Sequence, residues 1–119
     1  MKVGSTAQVK RAFSAQDMTD YKALGGAVRE SAVPEPLIGG LFSYLLGTEL
    51  PGIGTAYLKQ DSDYLDCAQV GEELTARVEI TKMRPEKYLV DLKTTCLGAD
   101  GRVICEGHAL VYVRDVAGQ

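Results

Sequence analysis

The second half of the chain alternates between apolar and polar positions. Leu74, Ala76, Val78 and Ile80 alternate with Thr75, Arg77, Glu79 and Thr81. A period of two marks a half-buried strand. Arg84-Pro85-Glu86-Lys87 turns the chain, and Val90, Leu92, Thr94 and Cys96 then alternate with Leu89, Asp91, Lys93 and Thr95. Asp100-Gly101 tolerates positive φ at both positions and predicts a two-residue hairpin turn. Counting back from that turn pairs Ala99 with Arg102, and so Cys96 with Cys105, both facing the apolar side. Val103, Cys105, Ala109, Val111 and Val113 continue the apolar set on the last strand. Gly107 interrupts it, which predicts a bulge or a close backbone contact. The tail from Asp115 to Gln119 is read as frayed.

The first half reads differently. Thr6 to Phe13 is an irregular strand. Ser14 with Asp17 has the form of a helix N-cap followed by an acid at the third helical position. A short helix runs from there to about Leu24, with Met18, Tyr21 and Leu24 as its apolar stripe, and Gly25-Gly26 ends it. Ala27 to Val33 is a loop. Pro34 and Pro36 bracket the start of a second helix, about Glu35 to Leu46. Leu37, Leu41 and Leu45 form one row on it, Ile38, Phe42 and Leu46 the next, and Gly40, Ser43 and Gly47 a third of small residues. So little of this helix is polar that burial on most sides is expected. Gly39 and Gly40 each cost roughly 1 kcal/mol of helix propensity against alanine, which packing or ligand access must offset. Leu50-Pro51-Gly52 and Gly54 mark a turn, and Thr55 to Leu65 is a strand.

The predicted order is β-α-α-β-β-β-β. Three strands in an antiparallel meander and one apolar helix define an α+β fold with the helix wrapped by the sheet. No repeat or linker interrupts residues 1–119, so a single domain is expected.

Composition narrows the functional classes. The net charge of -3 argues against a nucleic-acid surface, which needs a basic patch. The apolar stretch from Leu37 to Leu50 is broken by glycines and is shorter than the ~20 residues that span a bilayer. Residues 1–9 lack the apolar core of a signal peptide, so the cytoplasm is the expected compartment. Cys67, Cys96 and Cys105 are widely spaced and are read as reduced and semi-buried. With His108 the sole histidine, no metal site or cofactor is expected. His108 itself reads as a solvated strand residue. Asp61 and Asp63 share one side of their strand and read as a solvated face.

The block Leu41-Phe42-Ser43-Tyr44-Leu45-Leu46-Gly47-Thr48-Glu49-Leu50-Pro51-Gly52 resembles the central-helix region of the MaoC-like (R)-specific enoyl-CoA hydratases. Tyr57-Leu58, Val70-Gly71-Glu72, Thr75 to Glu79, Asp100-Gly101 and Glu106-Gly107 match in order, so the resemblance runs from about Val9 to Val113. It implies a hot-dog fold, homodimers with acyl-CoA sites near the subunit interface, and addition of water to trans-2-enoyl-CoA. The chemistry of that family rests on an Asp and a His between the two helices, acting in general acid-base catalysis. Here Gly25 to Val33 fills that interval, is shorter, and contains neither residue. The family's His-Gly leading into the helix is replaced by Pro34-Glu35.

Three functions stay open. The first is a protein that binds an acyl-CoA or acyl-carrier thioester along the central helix, with Gly39, Gly40 and Ser43 as candidate substrate-binding residues. The second is a hot-dog thioesterase. Such enzymes use a carboxylate near the central helix to activate water, and Glu35 is the candidate catalytic residue; its structural role would be to stabilise the positive helix end. The third is a non-catalytic structural or regulatory subunit.

Overall fold

A computed structural model describes residues 2–27 and 32–113. Part of the loop before the second helix and the tail read as frayed therefore lie outside the described residues. The order is β1 (Thr6–Ala12), α1 (Ala15–Ala23), α2 (Glu35–Thr48), β2 (Ala56–Tyr64), β3 (Glu73–Arg84), β4 (Leu89–Leu97) and β5 (Val103–Tyr112). A short 3-10 turn, Pro85–Lys87, joins β3 to β4. The strands form one antiparallel sheet in the order β1-β3-β4-β5-β2, which confirms the α+β hot-dog architecture. No helix among the described residues is long and apolar enough to cross a membrane.

The predicted alternation places the core. Leu74, Ala76, Val78 and Ile80 of β3 are buried, as are Val90, Leu92 and Cys96 of β4. Against them α2 buries Ile38, Leu41, Phe42, Leu45 and Leu46. The opposite side of α2 is not covered by its own chain. Gly40 and Tyr44 are exposed there, Tyr44 to 51%. The expectation that this helix is buried on most sides is therefore corrected: the sheet covers the side that carries Ile38, Leu41, Phe42, Leu45 and Leu46, and Gly40 and Tyr44 stay exposed.

Ser14 and Asp17 form the expected N-cap in full. The Asp17 N–H donates to the Ser14 hydroxyl at 3.1 Å, and the Ser14 N–H donates to the Asp17 carboxylate at 2.7 Å. Those hydrogen bonds lower the Asp17 pKa. The apolar stripe of α1 ends one residue early. Met18 is buried, but Leu24 is 89% exposed because it stands at the C-cap, where the chain leaves the helix axis.

Gly107 has the predicted close contact. A Cβ there would stand 1.8 Å from the Asp61 carbonyl oxygen of β2, so only glycine allows the strands to approach this closely. The cysteines divide: Cys96 and Cys105 are buried, whereas Cys67 is exposed. The semi-buried reading fails for Cys67 because it follows β2 in a surface loop.

Candidate functional site

Helix geometry sorts the candidate residues of α2. Positions four apart lie on one face, so Glu35, Gly39 and Ser43 form a row. Tyr64, the last residue of β2, donates its hydroxyl to the Glu35 carbonyl oxygen at 3.2 Å. The same hydroxyl lies 3.9 Å from where a Gly39 Cβ would stand. At the other end of β2, Tyr57 lies near Ser43 and donates its hydroxyl to the Gln60 side-chain oxygen. The row therefore faces β2, and Tyr64 bridges strand and helix at the Glu35 end. Gly40 is turned away. With Val9, Arg11, Phe13, Pro36, Leu37 and Tyr44 it lines a groove of about 410 Å³ on the β1 side. Sequence placed Gly39, Gly40 and Ser43 in one pocket; the helix turn divides them between two sides.

Glu35 is exposed and lines a cleft of about 400 Å³ at the start of α2. Tyr21, Val33, Pro34, Tyr64, Asp66 and Cys67 share that cleft. Burial raises the Tyr64 phenol to about 12, with the nearby Cys105 and Glu35 adding in the same direction. Burial also raises the Tyr57 phenol, against a smaller opposing contribution from Ser43. Both tyrosines are therefore neutral hydrogen-bonding groups near pH 7.

The cleft wall at Asp66 to Ala68 is fixed by Arg102. Its guanidinium donates to both Glu72 carboxylate oxygens, at 2.6 and 2.9 Å, and to Asp66 at 3.2 Å. It also donates to the Cys67 carbonyl oxygen at 2.8 Å. These bonds pull the Glu72 carboxyl down to about 2. Across the cleft, the Val33 N–H donates to the Ala68 carbonyl oxygen at 2.8 Å, joining the two walls.

Sequence reasoning missed Tyr64. Tyr64 was legible as the last member of the alternation Gln60, Ser62, Tyr64, but the acidic residues between them drew attention to the other side. Asp61 and Asp63 are indeed exposed, with Asp61 paired to Lys59 at 3.6 Å. His108 is exposed on β5. No group of three or more His, Cys, Asp or Glu able to hold a metal ion occurs among the described residues.

No protein-family model matches the chain. It is 42% identical over 77 residues to an (R)-specific enoyl-CoA hydratase of Rhodospirillum rubrum, a match that spans 65% of this chain and about half, 53%, of that relative. It is 31% identical over 126 residues to an (R)-specific enoyl-CoA hydratase of Aeromonas caviae, covering 93% of this chain and 94% of that one. Among solved structures, an (R)-hydratase from A. caviae involved in PHA biosynthesis superposes with a TM-score of 0.88 at 30% identity. That superposition covers 95% of this chain and 97% of the other.

Proposed function

The chain belongs to the MaoC-like, (R)-specific enoyl-CoA hydratase family of hot-dog proteins, and from that premise we propose that it binds an acyl thioester, on CoA or a carrier protein, without hydrating it. The observation that carries this reading is the row Glu35, Gly39, Ser43. Gly39 leaves room for about one methyl group between α2 and Tyr64: a Cβ there would meet the Tyr64 hydroxyl at an ordinary contact distance of 3.9 Å. The thioester lies along that row, with its head in the cleft beside Glu35. Gly40 contributes from the β1 side of the helix. The relatives hydrate enoyl-CoA, as their names state, but Gly25 to Val33 carries neither Asp nor His to do so. The active form is a homodimer. Tyr44, Leu58 and Leu65 are exposed apolar groups on the α2 and β2 flank, and β2 is an unpaired sheet edge.

Titration calorimetry with acetyl-CoA and hexanoyl-CoA tests the reading. Saturable binding at micromolar concentration, lost in Gly39→Leu with the fold retained, is expected. Absence of binding by the wild-type chain overturns it. Light scattering at micromolar concentration should give a dimer mass; a monomer refutes that part.

A thioesterase is the second reading. It is favoured by the position of Glu35 in the cleft wall at a helix start, where N–H groups polarise a carbonyl.

A further inference from the structure

The cleft beside Glu35 is built from two segments far apart in the chain. The approach to α2, Val33 to Pro36, forms one wall, and Asp66 to Ala68 forms the other. The second wall belongs to no helix or strand. Little apolar burial holds it: Asp66 and Cys67 are exposed, and only the Ala68 methyl is buried. Backbone hydrogen bonds fix its two ends. The Asp66 N–H donates to the Ile104 carbonyl at 3.3 Å, and the Ala68 carbonyl accepts from the Val33 N–H. Between them the Cys67 N–H turns back onto the Asp66 carboxylate at 2.7 Å.

Arg102 supplies what the backbone leaves out, and every N–H of its guanidinium is used. The Nε–H donates to Asp66, and one terminal nitrogen donates to the Cys67 carbonyl oxygen and to Glu72. The other donates to Glu72 and, at 2.9 Å, to Asp100 in the β4–β5 hairpin. Glu72 in turn accepts from the Gln69 N–H at 3.0 Å and from the Ala99 N–H at 2.8 Å. One side chain thus ties the exposed wall to the hairpin and to the segment just before β3. Arg102 is not among the residues that line the cleft. Anything it does for a ligand passes through Asp66 and Cys67.

Resting on the acyl-thioester reading, we propose that Arg102 is the positioning residue of this site: without touching the ligand, it holds the Asp66–Ala68 wall at the distance from α2 that thioester binding needs. A wall already in place spares the ligand the entropy of ordering it. Lysine cannot stand in. It keeps the charge, but its donors radiate from one ammonium nitrogen and cannot span Asp66, the Cys67 carbonyl and both Glu72 oxygens together. The role therefore depends on the shape of the guanidinium, which sets it apart from charge neutralisation. Cys67 serves as a reporter, because its exposed thiol shares the cleft with the ligand.

Titration calorimetry with hexanoyl-CoA, run beside maleimide labelling of Cys67, tests the role. In the wild type, saturating hexanoyl-CoA should slow the labelling. Arg102→Lys and Arg102→Gln should bind about tenfold more weakly and need correspondingly more ligand to protect Cys67. Glu72→Gln, a milder change in the same cluster, should shift the affinity in the same direction and carries the test if the Arg102 variants do not fold. Asp91→Asn is the control. It breaks the 2.7 Å Arg84–Asp91 pair, which is about as exposed as Arg102 and lies toward the opposite end of β4. It should lower the melting temperature and leave the affinity unchanged. Wild-type affinity in Arg102→Lys or Glu72→Gln, or an equal loss in Asp91→Asn, overturns the positioning role and leaves thioester binding standing. Binding that leaves Cys67 unprotected puts the ligand outside this cleft and overturns the role as well. If the wild type does not bind, both readings fail.

Discussion

Cys96 and Cys105 stand directly opposite each other on β4 and β5, yet the hairpin between them is not a two-residue turn. The Gly101 N–H donates to the Gly98 carbonyl and the Gly98 N–H to the Arg102 carbonyl, so the loop holds three residues, Ala99 to Gly101. Gly101 takes the positive φ of +85° that such a loop needs. This pairs Gly98 with Arg102 and Leu97 with Val103, one residue out of the predicted register. A bulge at Ile104 then absorbs the extra residue and restores Cys96 to Cys105. The bulge is also why the consecutive residues Ile104 and Cys105 are both buried.

Thiol labelling follows from that pairing. Burial raises the Cys96 thiol to about 11 and raises Cys105 as well. Thiolate is the reactive species. The native protein should consume one equivalent of a maleimide quickly, at the exposed Cys67, and the other two only in denaturant. Rapid labelling of all three would refute the packing around the hairpin.

Two glycine substitutions should have opposite signs. Gly107→Ala would drive a methyl into the Asp61 carbonyl and should cost about 1–3 kcal/mol or more. Gly40→Ala meets nothing within 4 Å and should stabilise the chain by about 1 kcal/mol through helix propensity. Urea denaturation measures both. A loss of stability in Gly40→Ala would mean that a partner packs on this side of α2.

The contrast between these glycines shows what the sequence could convey. Gly107 broke a strand alternation, and a glycine there has few explanations besides close contact. Gly39 and Gly40 sat in a helix whose every side looked apolar, so nothing in the pattern separated the side facing β2 from the side facing β1. The meander, the Ser14 cap and the cysteine pair rest on local spacing and were legible. Tyr64 over Gly39 depends on how far β2 runs beside α2, a relation between segments 25 residues apart in the sequence. Likewise Arg102 reads as a turn residue until the fold brings Glu72 and Asp66 to it.

Acid should expose the Arg102–Glu72 pair. The folded-state carboxyl lies at about 2, below the unfolded value of about 4.3. A depressed carboxyl contributes stability above its unfolded pKa and loses it as pH falls toward the folded one. Glu72→Gln should therefore lower stability at pH 7 by about 1 kcal/mol, solvent beside the pair limiting the loss. The gap between variant and wild type should close between pH 4 and pH 2 (about the two pKa values). A gap unchanged with pH would show that the carboxylate charge is not what matters.

Hydration of crotonyl-CoA should be negligible. Each correctly placed acid or base typically contributes about 10²–10⁴-fold, and Gly25 to Val33 contains neither Asp nor His. Placing one Asp or one His alone in that interval should not restore activity, because the general acid and the general base act as a pair. Turnover by the purified chain in a spectrophotometric assay would show that another pair of groups does the work.

Glu35 decides between a binding protein and a thioesterase. It is the first residue of α2, held between Pro34 at the N-cap and Pro36, and its side chain is exposed. A carboxylate there stabilises the positive end of the helix. A general base must instead hold a proton affinity near the working pH, which calls for burial against apolar surface. The cleft supplies Tyr64 and Asp66 beside Glu35, but water still reaches the carboxylate. The Tyr64 hydroxyl bonds to the backbone carbonyl of Glu35, so that contact survives a change of side chain. Glu35→Gln should therefore cost at most about 1 kcal/mol of stability, the worth of one acid at a helix start. Any thioester hydrolysis the wild-type chain shows should persist in it. Hydrolysis of acyl-CoA that is measurable in the wild type and lost in Glu35→Gln at unchanged melting temperature would establish the thioesterase instead.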